Sequence, residues 1–250
     1  MSGHSKWANI KHKKEAADKV KGKAFSRIGK EIMVAAKNGG GDPNSNPALR
    51  SALTAAKAVN MPNANIERAI KKGTGELGDV TFEEIVYEGY AAGGVAVLVD
   101  CLTDNRNRSI SEVRMVFDRN GGNLAGSGAV ARMFTRMAHF VITGEWADED
   151  KLMDIVLDAG AEDLTVEDGV AEIWAAPDAF EALAKVFEEK GIPTDEAEIT
   201  RRPEMTVPVT DPKVASQVMR LIDRMEELDD VQRVTANYDI DDEVAAQIEE

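Results

Sequence analysis

The sequence is poor in the residue types that build disulfide frameworks, zinc sites and membrane spans. Its 250 residues include one cysteine, Cys101, and three histidines, which excludes an internal disulfide and gives no zinc-ligand spacing. No apolar run approaches the roughly 18 residues that a membrane-spanning helix needs. The opening segment is basic but lacks the continuous apolar stretch of a secretory signal. We therefore expect a cytoplasmic protein with no metal and no membrane partner.

Charge, in contrast, is abundant and unevenly divided. The formal net charge is −15, yet residues 1–72 hold 15 Lys and Arg against 5 Asp and Glu, whereas residues 73–250 hold 15 against 40. Such a division predicts a module that binds a polyanion, attached to an acidic body. The alternative is that the basic part docks on the acidic part of the same chain, and both can hold together.

The basic part has the pattern of a small helical bundle. Apolar residues spaced at helical intervals predict a helix over 18–37, with five cations within an arc of about 80° opposite the apolar stripe. Asn46 and Pro47 predict the N-cap and first position of a second helix. A third helix is expected from residues 62–63 to Gly73. We therefore predict a basic helical domain over residues 1–75, with an N-terminal arm.

Strand patterns begin after a glycine-rich linker. FEEIVYEGYA and GVAVLVDCL predict two strands, and RNRSISEVRMVFDRNGG predicts a helix in which Ser109 and Glu112 form a capping box. AVARMF predicts a further strand. A helix and a strand after residue 204 are expected to return to this sheet. These segments make a second, α/β domain over residues 80–135 plus 205–240.

The segment between these two parts predicts a domain of its own. Residues 136–204 follow the order β-α-β-β-α-β, with a hairpin turn at Asp168–Gly169, which is typical of the ferredoxin-like split βαβ fold. The fold class is therefore α+β, with three domains: a small N-terminal helical bundle and two α/β domains of ferredoxin-like type, the third inserted in the second. Within the third domain, residues 141–200 contain 18 acids and 3 bases, so a protein partner suits it better than a nucleic acid.

No catalytic or cofactor-binding constellation is present. Residues 73–78 match the glycine-rich dinucleotide string, but they follow a helix and open none, so no cofactor is expected. Cys101 ends an apolar strand, where a buried small residue is the favoured interpretation over a nucleophile. An enzyme acting on a small molecule is therefore the least supported of the functions considered.

The basic residues themselves are the candidate site. Lysines on an arm and along a helix suit contacts with a phosphate backbone. Trp7 either stacks on an unpaired base, for about 1–3 kcal/mol, or anchors the arm to the bundle. Arginines in TDNRNRS either contact phosphate or pair with nearby acids. The candidate nucleic-acid-binding residues are Lys6, Trp7, Lys11, His12, Lys13, Lys14, Lys19, Lys23, Arg27, Lys30, Lys37, Arg106 and Arg108.

Several longer stretches carry a family resemblance. GHSKWANIKHKK, YEGYAAGGVAVLVDCLTDNRNRS and FDRNGGNLAGSGAVARMF resemble the YebC/PmpR family, which includes a mitochondrial translational activator of cytochrome oxidase. The resemblance implies three domains, the third inserted in the second, and a non-enzymatic role. Bacterial members are described as DNA-binding transcriptional regulators, and members are also described as ribosome-associated factors that assist translation through proline-rich stretches.

The sequence leaves the choice between these roles open. It contains no zinc finger or basic zipper, and its three predicted helices need not form a helix-turn-helix. We therefore expect binding dominated by the sugar–phosphate backbone, to DNA or to ribosomal RNA, and the oligomeric state stays undetermined.

Overall fold

The computed structural model describes the backbone of residues 17–78 and 81–248, and the side chains in these ranges except those of 17–23 and 242. The described residues form two compact units. The inserted unit is Ala131–Thr206, and the main unit comprises the described residues before and after it. None of the described helices is long and apolar enough to span a membrane.

The main unit begins with three helices, α1 (Ala17–Gly39), α2 (Pro47–Ala58) and α3 (Asn63–Gly73). Helices α2 and α3 both pack against α1. Their shared core includes buried side chains from all three helices, Ile28, Ile32, Leu49, Ala56 and Ile66, together with Met61 from the connection between α2 and α3. The prediction that Asn46 caps α2 is confirmed, since its side chain accepts from the Leu49 amide at 3.0 Å and donates to the Ala35 carbonyl at 2.8 Å. We call these three helices the helical layer.

A β-hairpin and a helix follow. Strands β1 (Glu83–Tyr90) and β2 (Ala96–Thr103) pair antiparallel, and helix α4 (Arg106–Arg119) leads to the short strand β3 (Asn123–Leu124). The predicted capping box is wrong. Asn105 is the N-cap of α4 and accepts from the Arg108 amide at 3.1 Å, whereas Ser109 lies inside the helix and is buried.

The inserted unit has the predicted β-α-β-β-α-β order. Its elements are β4 (Phe134–Thr143), α5 (Glu149–Asp158), β5 (Ala161–Glu167), β6 (Val170–Ala175), α6 (Phe180–Lys190) and β7 (Glu196–Pro203). They form an antiparallel sheet in the order β5-β6-β4-β7. The strand predicted for AVARMF is only partly right, because Ala131–Met133 forms a 3₁₀ turn and Phe134 already belongs to the long strand β4.

The core of the inserted unit lies between one face of its sheet and its two helices. It includes the large buried side chains Phe140, Ile142, Leu152, Ile173, Leu183 and Phe187. The turn between β5 and β6 has positive φ angles at Asp168 (48°) and Gly169 (76°), as a tight two-residue hairpin turn requires. The hairpin predicted at these residues is therefore confirmed.

The chain then returns to the main unit through β8 (Val207–Pro208), α7 (Pro212–Glu226), β9 (Val231–Ala236), β10 (Tyr238–Asp239) and α8 (Asp242–Ile248). Strand β9 pairs antiparallel with β2, which gives a sheet in the order β3-β1-β2-β9. Segments on both sides of the inserted unit thus share one sheet. The boundaries predicted for three domains stay predictions.

Candidate nucleic-acid interface

A buried carboxylate, Asp230, joins the helical layer to the sheet of the main unit. It lies just before β9, and its side chain is 3% exposed. Lys30 of α1 donates to it from Nζ at 2.8 Å. Arg108 of α4 donates from Nη2 at 2.8 Å, so two cations from different elements meet on one acid.

Two hydroxyl groups complete this cluster. Ser109 Oγ donates to Asp230 Oδ2 at 2.7 Å, and Thr103 Oγ1 donates to the same oxygen at 2.9 Å. Burial alone would raise the pKa of Asp230, but the hydrogen bonds from Lys30, Ser109, Arg108 and Thr103 outweigh it and lower the pKa to about 2. The carboxylate is therefore charged throughout the physiological range. We call these five residues the Asp230 cluster.

The Asp230 cluster changes the interpretation of the cationic stripe on α1. Lys30 is only 13% exposed and also donates to the Asp229 carbonyl at 2.8 Å, while Arg27 donates to the Gln232 carbonyl at 2.8 Å. Both side chains thus contact residues 229–232, at the start of β9 in the main sheet. This is the alternative in which the basic part of the chain docks on its acidic part. Lys37 is exposed near the end of α1, and α1 also carries Lys19 and Lys23, whose side chains lie outside the described residues.

The arginines of TDNRNRS divide in the same way. Arg108 is 42% exposed and forms ion pairs with Asp104 and Asp230, each at 2.8 Å, which matches the alternative of pairing with acids. Arg106, the first residue of α4, is exposed, and its carbonyl accepts from the Tyr87 hydroxyl at 3.4 Å. Contact of either arginine with phosphate stays a prediction. The arm candidates, Lys6, Trp7, Lys11, His12, Lys13 and Lys14, lie outside the described residues.

Sequence reasoning missed a set of cations on the helical layer. Lys57 of α2 and Arg68 and Lys71 of α3 are exposed, and Lys72 of α3 is half-buried. Within the described part of the chain, none of these four side chains has an acidic partner within ion-pair distance. A usable signal was present in NIERAIKKG, because three cations in five residues end a helix whose buried residues are only Ile66 and Ala69.

A groove of about 830 Å³ runs beside the Asp230 cluster within the main unit. Two helices line it with residues spaced at helical intervals: Phe25, Gly29 and Met33 from α1, and Asn65, Arg68 and Lys72 from α3. The wall opposite these helices carries the acidic residues Asp104, Glu112, Glu227 and Asp229. We call the aromatic and apolar lining residues Phe25, Met33, Phe82 and Leu228 the floor of the groove.

The inserted unit has a different polar cluster, on the sheet face opposite its helices. The rings of His139 and Trp174 stack with centroids 4.0 Å apart, and His139 Nε2 lies 3.7 Å from Glu172 Oε2. Arg202 lies over the Trp174 ring at 5.1 Å and pairs with Asp163. No group of three metal-ligating side chains occurs among the residues described.

Cys101, at the end of β2, is 2% exposed. Burial, with the nearby charges of Asp230 and Asp100, raises the pKa of its thiol to about 12. A thiol with such a pKa is protonated at neutral pH and is a poor nucleophile. The interpretation of Cys101 as a buried packing residue therefore fits its surroundings.

Comparison with known proteins accounts for nearly the whole chain. Residues 5–76 match the family model described as the TACO1/YebC protein N-terminal domain, and residues 82–238 match the TACO1/YebC second and third domain. A probable transcriptional regulatory protein from Syntrophobacter fumaroxidans is 54% identical over 248 residues, covering 99% of this chain and 100% of that protein. One from Dictyoglomus turgidum is 48% identical and covers 98% of each chain.

A solved structure shows the same fold. The crystal structure of a conserved hypothetical protein from Aquifex aeolicus has a TM-score of 0.83 and 45% sequence identity, and the match covers 91% of this chain and 93% of that one. The α+β class with an N-terminal helical region and antiparallel sheets is thus shared with a relative.

Proposed function

Because the chain belongs to the TACO1/YebC family, whose curated relatives are named probable transcriptional regulatory proteins, we propose that it is a non-enzymatic, nucleic-acid-binding regulator of gene expression. The observation that supports this most directly is the set of Lys57, Arg68, Lys71 and Lys72, which have no acidic partner among the described residues. Cations that are not neutralised within the protein are available to phosphates, whose counterions are released on binding.

The helical layer binds the sugar–phosphate backbone rather than reading base edges. Helices α2 and α3 are each held against α1, and their exposed cations lie on two short helices instead of one long recognition helix. Phosphate contacts of this kind fix position without specifying sequence. Lys30 and Arg108 contribute less than their charges suggest, since Asp230 already neutralises part of that charge.

Two versions of the function compete. In the first, the protein acts on promoter DNA, a target that would suit a relative of proteins named probable transcriptional regulatory proteins. In the second, it contacts ribosomal RNA and assists translation through proline-rich stretches. The second agrees with backbone-dominated binding and with the acidic inserted unit, whose charge suits a basic protein partner.

The decisive experiment is ultraviolet crosslinking of the full chain in cells, followed by sequencing of the attached DNA and RNA. Enrichment of promoter DNA supports the first version, and enrichment of ribosomal RNA with co-sedimentation on ribosomes supports the second. The variant with Lys57, Arg68, Lys71 and Lys72 all changed to Gln should lose most of the crosslinking. Its failure to reduce recovery of any nucleic acid, together with an unchanged circular dichroism spectrum, would contradict the proposal.

A second variant tests the arm. Removal of residues 1–16 deletes four lysines and should weaken binding further, with a shallower dependence of affinity on salt. If the shortened chain binds DNA and RNA as tightly as the full chain, the arm candidates Lys6, Lys11, Lys13 and Lys14 play no part in binding.

A further inference from the structure

We propose that the groove between the helical layer and the main sheet holds a single-stranded polynucleotide segment, with unpaired bases on its aromatic floor and phosphates on Arg68 and Lys72. This inference rests on the proposed function and adds the class of nucleic acid and the place where it binds. It starts from the groove's composition, which differs from that of a simple cationic surface.

The floor supplies the surfaces that bases need. Phe25 of α1 and Phe82, just before β1, line the groove and are both half-buried, so each side chain is fixed by packing yet keeps part of its surface open. Met33 and Leu228 are half-buried beside them. An aromatic ring that faces such a space stacks on an unpaired base of any identity, whereas a base inside a duplex cannot reach it.

The charges on the two walls determine how a bound polynucleotide would be oriented in the groove. Arg68 and Lys72 are one helical turn apart on α3, and within the described residues neither has an acidic partner within ion-pair distance. The opposite wall carries Glu112 and Asp229, which repel phosphate but accept hydrogen bonds from the amino groups of bases. Phosphates therefore lie along α3, and base edges point toward the carboxylates.

Lys30 and Arg108 also line the groove, but the Asp230 cluster holds them. Both donate to Asp230 at 2.8 Å, and Arg108 also pairs with Asp104. Their charge is therefore balanced before any ligand arrives. Among the described residues that line the groove, the unbalanced cations are on the α3 side, so phosphate contacts are expected there and not at the Asp230 cluster.

Gly29 provides an independent indication that the space is used. Glycine in the middle of a helix is destabilising relative to alanine. Among the described residues, a Cβ atom at Gly29 would meet only Met61 Cε at 3.7 Å, an ordinary contact, so this packing does not require glycine. Gly29 lines the groove, and a methyl group at this position would reduce the open space above the floor.

The experiment measures binding of the full chain to a fluorescein-labelled 12-nucleotide single-stranded RNA, the same sequence as single-stranded DNA, and the corresponding duplexes, by fluorescence anisotropy across a salt series. We expect tighter binding to single strands than to duplexes. The difference in affinity between the RNA and the DNA single strand shows which of the two nucleic acids the groove prefers. The Phe25→Leu, Phe82→Leu variant keeps apolar volume but removes both rings, and should lose roughly five-fold or more in single-strand affinity with an unchanged salt slope.

The charge variant gives the complementary result. Arg68→Gln with Lys72→Gln should flatten the slope of log affinity against log salt by about 1.4, as expected for two lost phosphate contacts on a single strand. The matched control, Lys57→Gln with Lys71→Gln, removes the same charge from exposed positions outside the groove lining. It should change single-strand and duplex affinities by similar factors and leave their ratio unaltered.

Gly29→Ala separates a structural from a binding role. It should raise the thermal unfolding midpoint and weaken single-strand binding. Equal affinity for single strands and duplexes, together with no effect of the Phe25→Leu, Phe82→Leu variant, would overturn the groove proposal while leaving nucleic-acid binding intact. Absence of binding to every RNA and DNA probe would overturn the proposed function itself.

Discussion

At the scale of single residues, Asp230 is a buried charge whose stability depends on the groups around it. A carboxylate removed from water is costly unless it is paired and hydrogen-bonded, and Asp230 meets both conditions with two cations and two hydroxyl groups. Its partners come from α1, β2 and α4, which are far apart in sequence. Asp230 therefore links elements that local sequence signals cannot link.

The charge of Asp230 should make stability depend on acid pH. Its pKa is about 2 in the folded chain, below the value of about 3.9 expected when unfolded. The carboxylate therefore contributes fully to stability above about pH 4, and this contribution is lost as pH falls toward 2. Asp230→Asn should lower the free energy of unfolding at pH 7 by about 3 kcal/mol, because Lys30 and Arg108 lose their charged partner.

Urea unfolding of both proteins at a series of pH values checks this prediction. The difference between wild type and Asp230→Asn should shrink as pH falls from about 4 to about 2, since the wild-type carboxylate is then protonated. Asp229→Asn is a matched control, because Asp229 is exposed and precedes Asp230 directly. A difference that stays constant across this range would show that shape, and not charge, is the contribution of Asp230.

At the scale of elements, strand β1 holds the loop of residues 125–130, which precedes the inserted unit. Glu88 is buried in β1, and its carboxylate accepts from the backbone amides of Gly128 at 2.6 Å and Val130 at 2.7 Å. Its own carbonyl accepts from the Ala125 amide at 2.7 Å. One strand residue thus satisfies three amides of an irregular segment, which would otherwise lack partners.

Replacing Glu88 tests whether this carboxylate holds the loop. Glu88→Gln keeps the size but places a donor where one of the two amides needs an acceptor, so the free energy of unfolding should fall by about 1.5–3 kcal/mol. Hydrogen exchange at Gly128 and Val130 should become faster. Glu84→Gln, an exposed position on the same strand, should change neither quantity; equal exchange rates in all three proteins would rule out the proposed role of Glu88.

Elements with local signals could be predicted from the sequence. The start of α2 is determined locally by Asn46 and Pro47, and the turn between β5 and β6 by Asp168 and Gly169. The structure confirms both predictions. Ser109 could not be interpreted correctly, because its hydroxyl is used by Asp230, 121 residues away. The strand predicted for AVARMF was placed too early for a similar reason, since Phe134, the first residue of β4, pairs with Pro203, which is 69 residues away (203 − 134).

The candidate site was predictable only in part. Helical spacing gave the angular positions of Arg27 and Lys30 on α1, but it could not show that residues 229–232 lie opposite them. Conversely, NIERAIKKG held a usable signal for Arg68 and Lys72, but only the structure shows that both residues line a groove together with Phe25. Charge counts thus pointed to the basic region of the chain but could not show which of its cations are already neutralised by acids of the same chain.

At the scale of the whole molecule, the inserted unit has a core of its own and a simple point of attachment. The buried side chains of this core come from its own strands β4, β5 and β6, from its two helices, and from Ile192 just after α6. The chain enters and leaves at adjacent positions, because Phe134 pairs with Pro203 and the Glu204 amide donates to the Met133 carbonyl at 2.9 Å. Neither unit therefore needs the other to complete its sheet.

This architecture predicts that the two units can be separated. A fragment of residues 131–206 should unfold cooperatively on its own, and a chain in which a glycine-serine linker of about six residues joins Val130 to Val207 should keep the main unit folded. Since the linked chain lacks the 18 acids of residues 141–200, it should bind polyanions at least as tightly as the full chain at low salt. Circular dichroism melting and anisotropy titrations measure both properties. A fragment that is unfolded at 25 °C would contradict the autonomy of the inserted unit, and a folded linked chain that no longer binds would place essential nucleic-acid contacts in residues 131–206 instead of the helical layer.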